Sequence, residues 1–276
     1  MDLLQLIVLA IVQGITEFLP ISSSAHLALA PWFLGWKDQG LTFDIALHVG
    51  TLVAVIAYFY KTWVEVIARG FGLRYGDDPL LKQNPALLWY LAAASVPVGV
   101  LGFLAKEYAE TTLRNPFVIG SMLIGVGLLM WLAERQATCQ KGIGEVGFVD
   151  SLMVGVAQAL AVVPGTSRSG VTMTAALFRG LDRPAAARFS FLLATPAIGG
   201  AAAHAFYDLQ KQGGIPHGLM VNFAIGIVIS GLTGCLAIAL LIRYLQRNTF
   251  YLFIYYRIVF GIIVIALAAF FRPPAE

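Results

Sequence analysis

The sequence predicts an all-α polytopic membrane protein with six transmembrane helices plus two re-entrant helix–loop–helix hairpins in inverted-topology repeats. Three observations carry that expectation. The composition is apolar and poor in charge, six apolar stretches have spanning length, and two more apolar stretches break at similar proline–serine loops.

Hydrophobic types make up 59% of the 276 residues and charged types 12%, with mean hydropathy +0.80. Soluble domains carry about 25% charged residues, so lipid is the solvent for most of this surface. Net charge is +3, with the basic residues scattered through short connecting segments, and nucleic acid is not the implied partner. Cys139 and Cys235 match no metal or redox spacing and read as an incidental loop thiol and a buried apolar residue. Met1 is not followed by the basic stretch of a cleavable signal peptide, so the N-terminus reads as part of the mature fold.

A span needs roughly 20 apolar residues. Residues 44–61, 86–105, 116–133, 187–206, 218–242 and 250–271 qualify. Asp77-Asp78-Pro79 and Asn84-Pro85 separate the first two, Arg114-Asn115-Pro116 opens the third, and Glu134 and Arg135 close it. Residues 3–34 break at Pro20-Ile21-Ser22-Ser23-Ser24, and residues 149–180 break at Pro164-Gly165-Thr166-Ser167-Arg168-Ser169-Gly170. Each arm is too short, at roughly 22 Å, for a hydrocarbon core of roughly 30 Å. Non-helical backbone at that depth is tolerated only inside protein or beside a water-filled cavity. Both stretches therefore read as hairpins that enter and leave on one side.

Gln13 precedes Pro20, and Gln158 precedes Pro164, at nearly the same distance, and three spans follow each hairpin. The chain thus divides into repeat one, 1–135, and repeat two, 148–276. An odd number of crossings per repeat inverts the second copy, an arrangement in which paired breaks mark the site. One side carries Lys61, Arg69, Arg74, Lys82, Arg135, Lys141, Arg179, Arg183, Arg188, Arg243 and Arg247. The other carries Lys37, Lys106, Arg114, Lys211 and Arg272. The richer side is expected in the cytoplasm, with the first hairpin opening outward.

The first hairpin holds Gln13, Glu17, Ser22, Ser23, Ser24 and His26, with Gln13 and Glu17 on one helix face. A carboxyl inside an apolar segment is a functional candidate; its bland reading is a carboxyl satisfied by neighbouring hydroxyls or a cation. The second hairpin holds Thr166, Ser167, Arg168, Ser169 and Thr172. A guanidinium ringed by hydroxyls at a helix start suits phosphate; its bland reading is a bridge to Glu17 alone. Together the tips would handle a phosphate-like anion, with Mg²⁺ or another divalent cation such as Ca²⁺ held partly by Glu17. His26 could move a proton, and a serine could attack phosphorus or hold the substrate while water attacks. The residues leave hydrolysis and transport both open. His48 and His204 read as hydrogen-bonded core histidines, and Arg257 as a snorkelling or paired arginine. The glycines of 120–127, 199–200 and 226–234 read as close-packing positions.

The run Gln13-Gly14-Ile15-Thr16-Glu17-Phe18-Leu19-Pro20-Ile21-Ser22-Ser23-Ser24-Ala25-His26 resembles the first signature of the undecaprenyl-diphosphate phosphatases, also called bacitracin-resistance proteins. Pro164-Gly165-Thr166-Ser167-Arg168-Ser169-Gly170 resembles their second. The resemblance extends over nearly the whole chain. It implies hydrolysis of undecaprenyl diphosphate to undecaprenyl phosphate and inorganic phosphate, recycling the lipid carrier of cell-wall synthesis and conferring bacitracin resistance. It also implies a divalent metal, a bacterial plasma (inner) membrane, and a site facing the outer, periplasmic side. It carries catalytic roles onto Glu17, Ser23, His26 and Arg168. Gln13 takes the neutral form of the family's acidic pair, so a two-carboxylate metal site is in doubt; Ala25 stands where glycine is frequent. The competing expectation is a polyprenyl-phosphate flippase without hydrolase activity. Membrane lipid is the expected surroundings, and the sequence leaves room for a homodimer.

Overall fold

The computed structural model describes residues 2–36, 41–105, 108, 112–211 and 220–270. Lys37, Lys106 and Arg272, on which part of the charge asymmetry rests, lie outside the described residues. Among the described residues the chain is helical, with no extended strand.

Two short apolar helices, α1 (Leu3–Phe18) and α2 (Ser23–Leu34), form the first broken pair. A second pair, α8 (Phe148–Ala159) and α9 (Arg168–Phe178), repeats it. Between and after them run α3 (Leu41–Tyr58), α4 (Tyr60–Gly70), α5 (Pro79–Lys82), α6 (Leu87–Leu104), α7 (Pro116–Gln136), α10 (Arg183–Lys211), α11 (Met220–Leu245) and α12 (Tyr251–Phe270). Five of these, α6, α7, α10, α11 and α12, are long and apolar enough to cross a membrane. A sixth span is reached by counting the bent pair α3–α4 as one.

Residues 44–61 read as a span; α3 fills most of it and ends at Tyr58, where the chain turns by 71° into α4. Phe59 leaves helical geometry (φ −99°, ψ 19°), and α4 carries Lys61, Glu65 and Arg69 one turn apart. Lys61 is exposed, whereas Glu65 and Val66 are buried and Glu65 Oε1 accepts from the Asp78 N–H (3.3 Å), a mixed pattern suited to an interface rather than to the bilayer interior.

α1 lies along α11, α8 lies along α6, and α7 and α12 lie along each other. Small residues set the closest approaches. A Cβ on Gly14 would fall 1.9 Å from Thr233 Oγ1, and one on Gly261 would fall 2.8 Å from the Gly120 carbonyl. Without a hydrophobic drive between helices in lipid, such close backbone contact is what dispersion needs. The Gly120 and 226–234 glycines thus pack as expected, whereas a Cβ on Gly200 would meet only open space, because that residue lines a cavity.

At one end of the bundle, ion pairs tie the connecting segments together. Arg188 reaches Asp78 (2.6 Å), Arg183 Nε reaches Glu134 (2.8 Å), and Asp150 takes both Arg179 (2.7 Å) and Lys141 (3.2 Å). Arg179 ends α9 and Asp150 opens α8, so this pair ties the outer ends of the second hairpin's arms.

Candidate active site

The two breaks are built to one local plan. Proline stops each first arm by removing a backbone donor. Ser22 (φ 76°) and Ser167 (φ 67°) then take the left-handed region, which side chains other than glycine rarely adopt outside strained functional sites. Each hydroxyl caps the following helix, Ser22 Oγ accepting from Ala25 N (3.4 Å) and Ser167 Oγ from Gly170 N (3.1 Å). Each also lies 3.2 Å from the hydroxyl two residues on, Ser24 or Ser169. Gly165 (φ 90°) must be glycine, since a Cβ there would sit 2.5 Å from the Ile119 carbonyl.

The breaks meet. Ser169 Oγ donates to the Leu19 carbonyl (3.0 Å), and Gly165 N donates to Ser24 Oγ (3.4 Å). Between them the Arg168 guanidinium pairs directly with Glu17 Oε1. The other oxygen, Oε2, accepts from Ser23 Oγ (2.6 Å) and Gln13 Nε2 (3.0 Å). The Glu17 side chain is 3% exposed. A carboxylate this buried is retained only because three donors converge on it; an unpaired one would cost several kcal/mol, by order of magnitude.

Glu17, Ser23, Ser24, Ser167 and Arg168 line a cavity of about 930 Å³. Arg114, His204 and Asp208 line it too and are more exposed, which places them toward its mouth, where Arg114 meets Asp44 (3.4 Å). Val98, Gly99, Gly102 and Phe103 of α6 face Ala201 and Ala205 of α10 across it, giving an apolar, small-residue wall beside the polar base.

Other expected residues sit behind this surface. Gln13 is fully buried and supports Glu17 rather than lining the cavity. Thr166 is fully buried, and Thr172 is tied to the Arg168 carbonyl (2.7 Å) and Ser190 Oγ (2.6 Å). His26 Nδ1 donates to the Ser22 carbonyl (2.7 Å), which leaves Nε2 to accept from the Tyr256 hydroxyl (2.7 Å). With both ring nitrogens engaged and the ring stacked on Phe260, His26 anchors the first break and has no lone pair aimed at the cavity. His48, expected as a core histidine, is instead at the site. Its Nδ1 donates to the Asp44 carbonyl (2.7 Å), and its Nε2 lies 3.6 Å from Glu17 Oε2. A histidine one helix turn after an aspartate in an apolar run was the available signal.

The donor set suits a hard cation. Among the described residues no three His, Cys, Asp or Glu side chains group as ligands. Yet Glu17 offers a carboxylate and Gln13 a buried amide oxygen with no protein partner. Mg²⁺ commonly takes one or two such ligands and completes its shell with water and substrate phosphate.

The fold and site define a class: multi-pass helical membrane proteins whose two broken helix pairs bring an acid and a guanidinium to the base of one cavity. This chain belongs to the family described as bacitracin resistance protein BacA, whose model matches residues 6–263. Curated relatives share nearly its full length. The undecaprenyl-diphosphatase of Pelotomaculum thermopropionicum is 46% identical over 98% of both chains. That of Moorella thermoacetica is 45% identical over 97% of this chain and 98% of its own. That of Geobacter metallireducens is 41% identical over 95% and 96%.

Proposed function

We propose that this protein hydrolyses undecaprenyl diphosphate to undecaprenyl phosphate and inorganic phosphate, and so returns the lipid carrier to cell-wall synthesis. The family's name links that activity to bacitracin resistance, and the relatives' names give the substrate. The observation that carries the reading is the meeting of Glu17, Ser23 and Arg168 at the polar base of a cavity with an apolar wall.

The diphosphate enters toward the base and the polyprenyl chain lies along α6 and α10. Arg168 turns from Glu17 to the phosphoryl oxygens, for which its planar fork is suited. Glu17 takes the Ser23 hydroxyl proton, and Ser23 Oγ bonds to the terminal phosphorus. The bond from that phosphorus to the bridging oxygen breaks, and undecaprenyl phosphate leaves with the electron pair. The proton on Glu17 passes to the departing lipid phosphate. Glu17 then draws a proton from water, the water oxygen attacks the phosphoserine, and the bond from Ser23 Oγ to phosphorus breaks as Glu17 returns that proton to Ser23 Oγ, releasing inorganic phosphate. Positioning and electrostatics supply most of the acceleration in such transfers. A divalent cation held by Glu17, with Gln13 behind it, would offset charge on the leaving phosphate.

On this reading the two broken pairs are hairpins that enter the bundle from opposite sides, as the paired breaks of an inverted repeat do. The first opens outward, and the ion-paired, basic end faces the cytoplasm of a bacterial inner membrane. A flippase could use the same cavity, but transport needs no hydroxyl hydrogen-bonded to a carboxylate, and that pair favours hydrolysis. Purified protein in detergent, given undecaprenyl diphosphate and Mg²⁺, should release inorganic phosphate. Binding without release would overturn the hydrolytic reading.

A further inference from the structure

Arg257, the seventh residue of α12, is fully buried and is the largest such side chain among the described residues. It reaches no interface, so the snorkelling reading fails. No carboxylate pairs with it among the described residues; all its partners are backbone carbonyls. Nε donates to Leu123 (3.3 Å), Nη1 to Pro20 (3.1 Å), and Nη2 to Met122 (3.4 Å), Gly165 (3.1 Å) and Thr166 (2.9 Å). Pro20 belongs to the first break, Gly165 and Thr166 to the second, and Met122 and Leu123 to α7.

The Pro20, Gly165 and Thr166 carbonyls are groups that the breaks leave without helical partners, far from bulk water, while Met122 and Leu123 lie inside α7. A guanidinium has five N–H donors in a fixed plane, enough to serve both breaks at once. Lysine, with one nitrogen on a flexible stem, is not. The peptide bonds are trans, and a trans peptide points its N–H opposite its C=O. Holding the Thr166 carbonyl on Arg257 therefore turns the Ser167 N–H away from Arg257. The same contact sets the plane of the Thr166–Ser167 peptide, one residue before Arg168, while the bond to Pro20 fixes the turn leading to Ser22 and Ser23.

We infer that Arg257 is a positioning residue: it clamps the two loop breaks in the register that places Arg168 opposite Glu17 and Ser23. The inference rests on the phosphatase reading for its kinetic consequence, but not for its structural one.

Arg257→Lys keeps the charge and removes the fork. A clamp predicts that kcat per folded molecule falls about 100-fold, the cost of misplacing reacting groups by about 1 Å. KM should stay within about threefold, because Arg168 still binds the diphosphate. Hydrogen–deuterium exchange should rise together at residues 19–24 and 163–170. Gly170→Ala approaches the clamp from the other side. A Cβ there falls 2.9 Å from Arg257 Nη1 and 3.1 Å from Ser167 Oγ, and alanine favours the helix, so this variant keeps the test open should the lysine variant not fold. It should show the same kcat loss and the same paired rise in exchange.

A merely structural arginine predicts a lower melting temperature with normal kcat per folded molecule and exchange raised along α12 alone. That result in either variant overturns the clamp, as does a rise in KM that carries the whole loss. Wild-type protein that releases no phosphate would sink the phosphatase reading; the exchange data would still decide the clamp.

Discussion

Glu17→Gln is the sharpest single test of the site. The substitution keeps the shape of the side chain and removes its charge. In the native protein Oε1 faces the Arg168 guanidinium, and Oε2 accepts from Ser23 and Gln13. An amide has one oxygen and one NH₂. If the oxygen stays with Ser23, the NH₂ meets Arg168; if it turns to Arg168, the NH₂ meets Gln13 Nε2. In the first case a donor faces a donor at 3% exposure, where water gives little relief; the second is relieved only by turning the Gln13 amide so that its unpartnered oxygen accepts. Charge-assisted hydrogen bonds are about twice as strong as neutral ones, so the pair with Arg168 weakens as well. Loss of a positioned general base costs about 10²–10⁴ in rate, and loss of one preorganised electrostatic group costs about 10²–10³, or roughly 3–4 kcal/mol. These act through one carboxylate and are not additive, so kcat should fall by at least about 10³. KM should not rise, because Arg168 no longer has a competing anion and is freer for the diphosphate. The assay is phosphate release by monodisperse detergent-purified protein across a substrate series. A kcat within tenfold of wild type, or a loss carried by KM alone, would refute the acid–base role of Glu17.

Four further outcomes follow from the same geometry. Ser23→Ala should lower kcat at least about 100-fold, and acid-quenched wild-type reactions should yield a phosphoserine peptide by mass spectrometry; full turnover without Ser23 would hand the attack to water. Arg168→Lys should lose about 100-fold in kcat/KM and Arg168→Ala more, because a point charge does not replace a bidentate fork; equal activity in the two would deny the fork any role. Chelator should abolish phosphate release and Mg²⁺ restore it, while calorimetry of Glu17→Ala should show no specific Mg²⁺ heat. For Asp78, burial raises the carboxyl pKa, but the hydrogen bonds from Arg188 and Leu80 N–H outweigh it and hold the group below its usual range. A depressed folded pKa means a contribution present above the usual carboxylate pKa of about 4 and lost as pH falls through the lower folded value. The melting temperature should thus be level from pH 7 to about pH 5 and drop in stronger acid, with less of that drop in Asp78→Asn.

How much of this was legible in the sequence depends on what each signal encodes. Hydropathy encodes length, so α6, α7, α11 and α12 fall close to their expected limits. Proline followed by serines encodes a break, and both breaks were visible. Hydropathy does not encode direction, so the 71° turn at Phe59 went unread, although Lys61, Glu65 and Arg69 at four-residue spacing were its signal. Nor does it encode depth. Arg257 and His48 were each judged by their own surroundings in the sequence, where a lone polar residue in an apolar run has several ordinary explanations. Their roles are set by partners more than 20 residues away, such as the Pro20 and Thr166 carbonyls and the Glu17 carboxylate. His26 shows the converse. A histidine beside a motif serine suggested proton transfer, but the serine that it touches is Ser22, through a carbonyl.

The matched strain of Ser22 and Ser167 links the two halves of the account. A left-handed serine costs of order 1–3 kcal/mol, and glycine would relieve it. Glycine would also remove the hydroxyl that caps the next helix, worth about 1 kcal/mol, and the contact to the serine two residues on. The strain and the cap come from one residue at each break. Each sharp reversal brings the next residue, Ser23 or Arg168, to the cavity wall directly after the turn. A gentler turn of more residues would put additional unpaired backbone at membrane depth, where each unsatisfied group costs several kcal/mol by order of magnitude. The strained turn is the less costly solution, and using it twice places the Ser23 hydroxyl and the Arg168 guanidinium, from opposite halves of the chain, on either side of Glu17.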